Sequence, residues 1–196
     1  MDPKLLTGSL VRLAADDPQT MSEALSRWGR DSEYWRLLAS DPARLYSVQA
    51  TRDWLEQEGE APSNYMFSIY TLENNRLIGR IGLDGIVWNH AESFVGISLG
   101  ERGDWGKGYG TDAMRILLRY AFTELNLHRV SLDVFEYNPR AIHSYEKVGF
   151  KVEGRVRQFL NRDGQRWDMI FMGILRDEWL IRQNNPGQNR DTITSH

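Results

Sequence analysis

The chain of 196 residues carries 24 Lys+Arg against 27 Asp+Glu, a formal net charge of −3, with 41% hydrophobic and 26% charged residues. This is globular chemistry for about one domain of ~150 residues; it excludes a disordered or fibrous chain and a polybasic nucleic-acid binder. Because cysteine is absent, disulfide scaffolds, Cys-ligated zinc, iron–sulfur clusters and thiol nucleophiles are excluded together, and a cytoplasmic location is expected.

The N-terminus, Met1-Asp2-Pro3-Lys4, turns polar by Thr7-Gly8-Ser9 and lacks the apolar core of a signal peptide. No apolar run nears the ~18 residues of a membrane span, so a soluble protein with no membrane partner is expected. Leu10–Ala14 reads as a first strand closed by Asp16-Asp17-Pro18, and Gln19–Trp28 as a helix. Trp35–Leu38 suggests a short helix before the break at Asp41-Pro42, and Ser47–Glu60 another helix with Val48, Trp54 and Leu55 on its apolar stripe. The period then turns from helical to alternating. Tyr65–Leu72 and Leu77–Trp88 are strands joined by the hairpin Glu73-Asn74-Asn75-Arg76, and Phe94–Leu99 is a third, making an antiparallel meander.

Thr111–Leu125 is the clearest helix, with Met114, Leu117, Leu118, Ala121 and Leu125 on one face. Arg129–Phe135 alternates as a strand. Asn138-Pro139 supplies a cap and a first-turn proline for a helix that Gly149 stops. Lys151–Phe159 and Arg166–Ile174 form a last hairpin around Asn161-Arg162-Asp163-Gly164, with Arg155, Arg157, Arg162 and Arg166 expected on an exposed face. The reading is one α+β domain over 1–183 and a polar tail over 184–196.

Between a strand and the clearest helix lies Gly103-Asp104-Trp105-Gly106-Lys107-Gly108-Tyr109-Gly110-Thr111. Alternate glycines let backbone N–H groups converge, and the helix N-terminus adds a positive dipole, which together suit a phosphate or diphosphate. A plain tight loop would need the same glycines, so the loop alone leaves both readings open. It is no Walker loop, since Glu101 stands where the first glycine belongs and Gly108 follows Lys107. Nor is it a dinucleotide fingerprint, for which Thr111 and the absent parallel sheet are a poor fit. Gly96-Ile97-Ser98-Leu99-Gly100 matches the G-x-S-x-G of serine hydrolases, but no helix follows directly to form the required elbow. His90, His128, His143 and His196 show no paired ligand spacing, so no metal site is expected.

Trp105-Gly106-Lys107-Gly108-Tyr109-Gly110-Thr111 and Asn138-Pro139-Arg140-Ala141-Ile142-His143-Ser144-Tyr145-Glu146-Lys147-Val148-Gly149-Phe150 together resemble the GNAT N-acetyltransferase superfamily. The first is similar to its Q/R-x-x-G-x-G/A loop, with Trp105 where many members carry Gln or Arg, and the second to its N-x-x-A-x-x-x-Y-x-x-x-G-F helix. The match is nearest the branch of ribosomal-protein N-terminal and spermidine acetyltransferases. The resemblance implies a mostly antiparallel mixed sheet with a splayed central strand pair, flanking helices and acetyl-CoA as cosubstrate. It places Gly106, Lys107, Gly108, Tyr109, Gly110 and Thr111 on the diphosphate. Asn138 and Ala141 then meet the pantetheine arm, strand amides of Ile97, Ser98 or Leu99 meet the thioester, and Tyr145 is the acid that protonates the leaving thiolate. Taken by itself, Tyr145 reads first as a core residue beside Ala141 and Ile142.

The acceptor is then a protein N-terminus or a polyamine or other small amine, with Asp31, Glu33, Tyr34 and Trp35 as candidates to line its site. Glu92, Asp84, Asp133 and Glu136 stand near the relevant strand ends, and none is singled out as the base. A non-catalytic acyl-CoA sensor and a hydrolase using Ser98 are the alternatives, and the sequence leaves homo-oligomerisation open.

Overall fold

The computed structural model describes residues 4–184. Seven strands form one sheet: β1 (Val11–Ala15), β2 (Tyr65–Thr71), β3 (Leu77–Val87), β4 (Glu92–Leu99), β5 (Arg129–Phe135), β6 (Lys151–Arg162) and β7 (Gln165–Leu175). Their order is β1-β2-β3-β4-β5-β7-β6, and every neighbouring pair is antiparallel except β4 and β5. Six helices accompany them: α1 (Pro18–Trp28), α2 (Ser32–Leu38), α3 (Val48–Gly59), α4 (Tyr109–Thr123), α5 (Pro139–Val148) and α6 (Arg176–Asn184). The α+β expectation holds. Among the described residues no helix is long and apolar enough to cross a membrane.

The helices form where caps and apolar faces coincide. Asp17 accepts from the Thr20 amide at 3.0 Å ahead of Pro18, and Asn138 accepts from the Ala141 amide at 3.2 Å ahead of Pro139. Gly149, at φ 113°, closes α5 in a conformation that L side chains avoid. The inner face of α4 buries Ala113, Met114, Leu117 and Ala121 against Val11, Ile69, Ile81 and Leu83 of the first three strands. On β3 the neighbour of Ile81 points the other way. Arg80 pairs with Asp16 at 2.5 Å and with Glu58 of α3, with Trp54 beneath its guanidinium. The sheet is thus covered on one side by α4 and α5 and on the other by α1, α2 and α3, whose own small core joins Met21, Leu25, Trp28, Tyr34 and Leu55.

Two sequence expectations change. Arg176–Asn184 is helical, an element not expected from the sequence, with Trp179 buried on Phe122. The remainder of the expected tail lies outside the described residues. Of the arginines of the last hairpin, Arg155, Arg157 and Arg166 are exposed as expected, whereas Arg162 is half-buried. Arg162 donates to the carbonyls of Arg36 and Ala39 at 2.5 Å and of Asp41 at 3.2 Å, and Arg155 bridges Glu136 and Asp168 at 2.8 and 2.9 Å. One hairpin residue therefore holds the C-terminal end of α2 against the sheet.

Candidate active site

β4 and β5 pair only at Glu92↔Arg129, Ser93↔Val130 and Phe94↔Ser131. Beyond Phe94 the two strands part, while β4 stays laddered to β3 as far as Gly79↔Leu99 and β5 to β7 as far as Phe135↔Met169. The wedge opens between two half-sheets that are each held from outside. Gly100 donates to Ile78 of β3, and strand alternation then turns the amides of Ile97 and Leu99 toward the gap and that of Ser98 toward β3. Sequence reasoning named all three amides together. Only the pleat separates them.

A cleft of about 410 Å³ fills the wedge and continues to the start of α4, a size usual for small-molecule sites. Ile97, Ser98, Leu99, Gly106, Gly108, Tyr109, Gly110, Thr111, Asn138, Ala141 and Tyr145 all line it. Lys107 does not; its side chain is exposed outside the lining. The loop is shaped by Gly106 at φ 75° and Gly108 at φ 86°, the latter being the N-cap of α4. These left-handed steps turn successive amides in one direction. Below the loop, Asp104 is buried and gripped by Arg76 through two bonds of 2.8 and 2.6 Å. Thr111 and Ser144 share a hydroxyl hydrogen bond of 2.8 Å that joins the start of α4 to α5.

Tyr145 projects from α5 into the cleft, against Phe150 at 6.0 Å between ring centroids. Burial, reinforced by the negative charge of Asp133, pushes its hydroxyl up to about 12, so it stays protonated through the physiological range. Asp133 also lines the cleft, and loss of surrounding water raises its carboxyl above the ordinary range even though the side chain opens to the cavity. On the far wall Tyr34 donates to Ser98 Oγ at 3.1 Å, and burial pushes its phenol up to about 12. Ser98 therefore sits in an extended strand as the acceptor of a tyrosine bond, without the sharp turn that a nucleophilic serine needs.

The carboxylates expected around the acceptor are engaged elsewhere. Arg102 holds Asp31 at 2.5 and 2.7 Å and also pairs with Glu33, and neither acid lines the cleft. Trp35 packs with Tyr34 and Tyr46 on the smaller core, while Tyr34, Leu37 and Leu38 form the wall. Trp105 and Arg140, which sequence reasoning did not name as binding residues, do line the site. Glu136 is taken by Arg155 and by the Asp168 amide. Among the described residues no group of His, Asp or Glu side chains could hold a metal ion.

Known proteins share this architecture. The family described as an acetyltransferase (GNAT) domain matches residues 10–151. A probable N-acetyltransferase, YjcK of Bacillus subtilis (strain 168), is 32% identical over 137 residues, 68% of this chain and 75% of that protein. The spermidine N(1)-acetyltransferase of Escherichia coli (strain K12) is 40% identical over 83 residues, 42% of this chain and 45% of that protein. The fold matches the crystal structure of spermidine N-acetyltransferase from Vibrio cholerae in complex with CoA and spermine, with a TM-score of 0.78 and 24% identity over 87% of this chain and 98% of that one. The chain belongs to the GNAT family and is an N-acetyltransferase that takes its acetyl group from acetyl-CoA.

Proposed function

We propose that this enzyme acetylates an α-amine, such as a peptide or protein N-terminus, in a ternary complex within the β4–β5 wedge. The coenzyme supplies an activated acetyl group as a thioester. The chain supplies unladdered amides at Ile97 and Leu99 for the thioester oxygen, glycine-loop amides from Gly106 to Thr111 for the diphosphate, and Asn138 and Ala141 for the pantetheine arm. Holding both reactants between rigid half-sheets accounts for much of the acceleration.

Tyr145 donates the proton that the leaving thiolate takes up. A thiolate, whose thiol titrates near ~8.5, is a weaker base than a phenolate, whose phenol titrates near ~10, so transfer runs uphill in water. Within the cleft the loss of water that raises Tyr145 raises the thiol as well, so transfer stays uphill and the proton moves as the C–S bond breaks. Asp133 stands ready to take the proton of the amine, directly or through one water.

One observation carries the acceptor assignment. The cleft is lined by two carboxylates, Asp104 and Asp133, and Asp104 is locked to Arg76. A single available anion suits a single ammonium, whereas a polyamine brings further charges with nothing to meet them. An α-amine near ~8 is also about a tenth neutral at pH 7, against well under a thousandth for an alkylamine near ~10.4. Thiol release from acetyl-CoA, measured with N-terminal peptides and with spermidine, tests the reading. Peptides are expected to be turned over with the higher kcat/KM; a preference for spermidine would overturn it.

A further inference from the structure

Arg140 is the second residue of α5, directly after Pro139. Its guanidinium lies 4.0 Å from the centroid of the Trp105 ring, so it spans the cleft from the α5 wall to the loop wall. Trp105 is itself fixed, since its indole N–H donates to the Leu99 carbonyl at 2.9 Å. Arg102 flanks the same ring at 5.7 Å but is committed to Asp31 and Glu33. Among the described residues no carboxylate or carbonyl takes the donors of Arg140. Glu33 attracts it from a distance and Arg102 repels it, while burial in the cleft weakens its hold on the proton.

A partly desolvated guanidinium with unused donors, aimed into a ligand cleft, calls for an anion. The loop leaves that demand open from the other side. Its cation, Lys107, faces away, and the start of α4 contributes only about half a unit of positive charge. We propose that Arg140, held over the Trp105 ring, grips the diphosphate of CoA from the α5 wall and supplies the full positive charge that the glycine loop does not. The inference rests on the loop placement proposed above. Contact with the ring restrains the guanidinium before the ligand arrives, so less rotamer freedom is lost when it forks onto phosphate oxygens.

The test compares Arg140→Gln with the parent by calorimetry against CoA and 3′-dephospho-CoA, and by turnover with acetyl-CoA and S-acetylpantetheine. For the variant we expect Kd to rise about tenfold for both coenzymes, the loss of one charged hydrogen-bonding group. The ratio of parent to variant kcat/KM should be about tenfold on acetyl-CoA and near one on S-acetylpantetheine, which lacks the diphosphate. Arg140→Lys, which keeps the charge but loses the forked guanidinium, should recover part of the loss. Equal Kd values in parent and variant would overturn the proposal. A penalty that persists on S-acetylpantetheine would also overturn it, as would one that vanishes with 3′-dephospho-CoA. A parent protein that binds no CoA would strike the loop placement itself, a result separate from any effect of Arg140.

Discussion

Phe94 faces Ser131 as the last register pair between β4 and β5, and both strands continue past it without pairing. The divergence is enforced from outside the gap, since β3 and β7 hold their partners to Leu99 and Phe135. A peptide edge buried without hydrogen bonds is costly, and a chain keeps one where a ligand completes it. Under the function proposed above the relation between sheet and activity is direct: the same missing ladder that breaks the sheet leaves the amides of Ile97 and Leu99 for the thioester.

Replacing Tyr145 by Phe removes one oxygen from a side chain that otherwise packs on Phe150. We expect kcat to fall about a hundredfold, the scale of a lost general acid, with CoA affinity held within about twofold. Steady-state kinetics beside calorimetry separates the two. Unchanged turnover would return Tyr145 to a packing role.

Asp133 makes a pH prediction with a definite sign. Desolvation raises its folded pKa, so the deprotonated form needed to accept a proton is lost as pH falls through a value above the ordinary carboxylate range. The acid limb of kcat/KM should lie correspondingly high. Asp133→Asn should abolish that limb and lower the plateau, while raising thermal stability at neutral pH, because a charge that folding disfavours is removed. A limb that persists in the variant belongs to another group.

Much of this was legible in the residues because local and global signals agree. Asn138-Pro139 and Gly149 bracket α5 by cap chemistry alone, and the apolar face of α4 follows its period. The loop glycines likewise announced left-handed turns, found at Gly106 and Gly108. Pairing partners did not show. Asp31 and Glu33 read as a lining for a cationic amine until Arg102, far along the chain, is seen to neutralise both. Lys107 looked like a phosphate ligand because spacing gives no direction for a side chain in a loop. The helix α6 was missed because its charged sequence, Arg176 to Asn184, offers one buried anchor, Trp179, and no repeating stripe.

Arg80 governs stability rather than chemistry. Its side chain is 7% exposed between Asp16 and Glu58, and it joins β3 to α3 and to the start of α1. Arg80→Met leaves two carboxylates facing each other without their cation, at a cost of about 3–5 kcal/mol. Urea denaturation should show the midpoint shift. Adding Asp16→Asn and Glu58→Gln should restore a large part of the loss, since the unpaired charges are what destabilise. A single-variant loss below about 1 kcal/mol would mean that water already reaches the trio.

Arg102 is where acceptor choice can be changed. It holds Asp31 and Glu33 at the head of α2, one residue before the Tyr34 that walls the cleft. The Arg102 hydrogen bond is the largest cause that keeps the Asp31 carboxyl below its ordinary pKa, so without the arginine that carboxyl returns toward the ordinary carboxylate range and stays charged at neutral pH. Arg102→Gln should therefore leave two uncompensated carboxylates beside the cleft. Asp31 still caps α2 through the Glu33 amide at 3.0 Å, so the helix keeps its start. We expect kcat/KM for spermidine to rise several-fold, with an effect that shrinks as salt is added, because attraction between exposed charges is screened over about 10 Å at 0.1 M ionic strength. Peptide α-amines, which carry a single ammonium, should gain far less. Parallel rate measurements on the two acceptors at low and high salt decide the matter: an equal response would show that these carboxylates do not reach the acceptor, and the preference for a single ammonium would then have to rest on Asp133 alone.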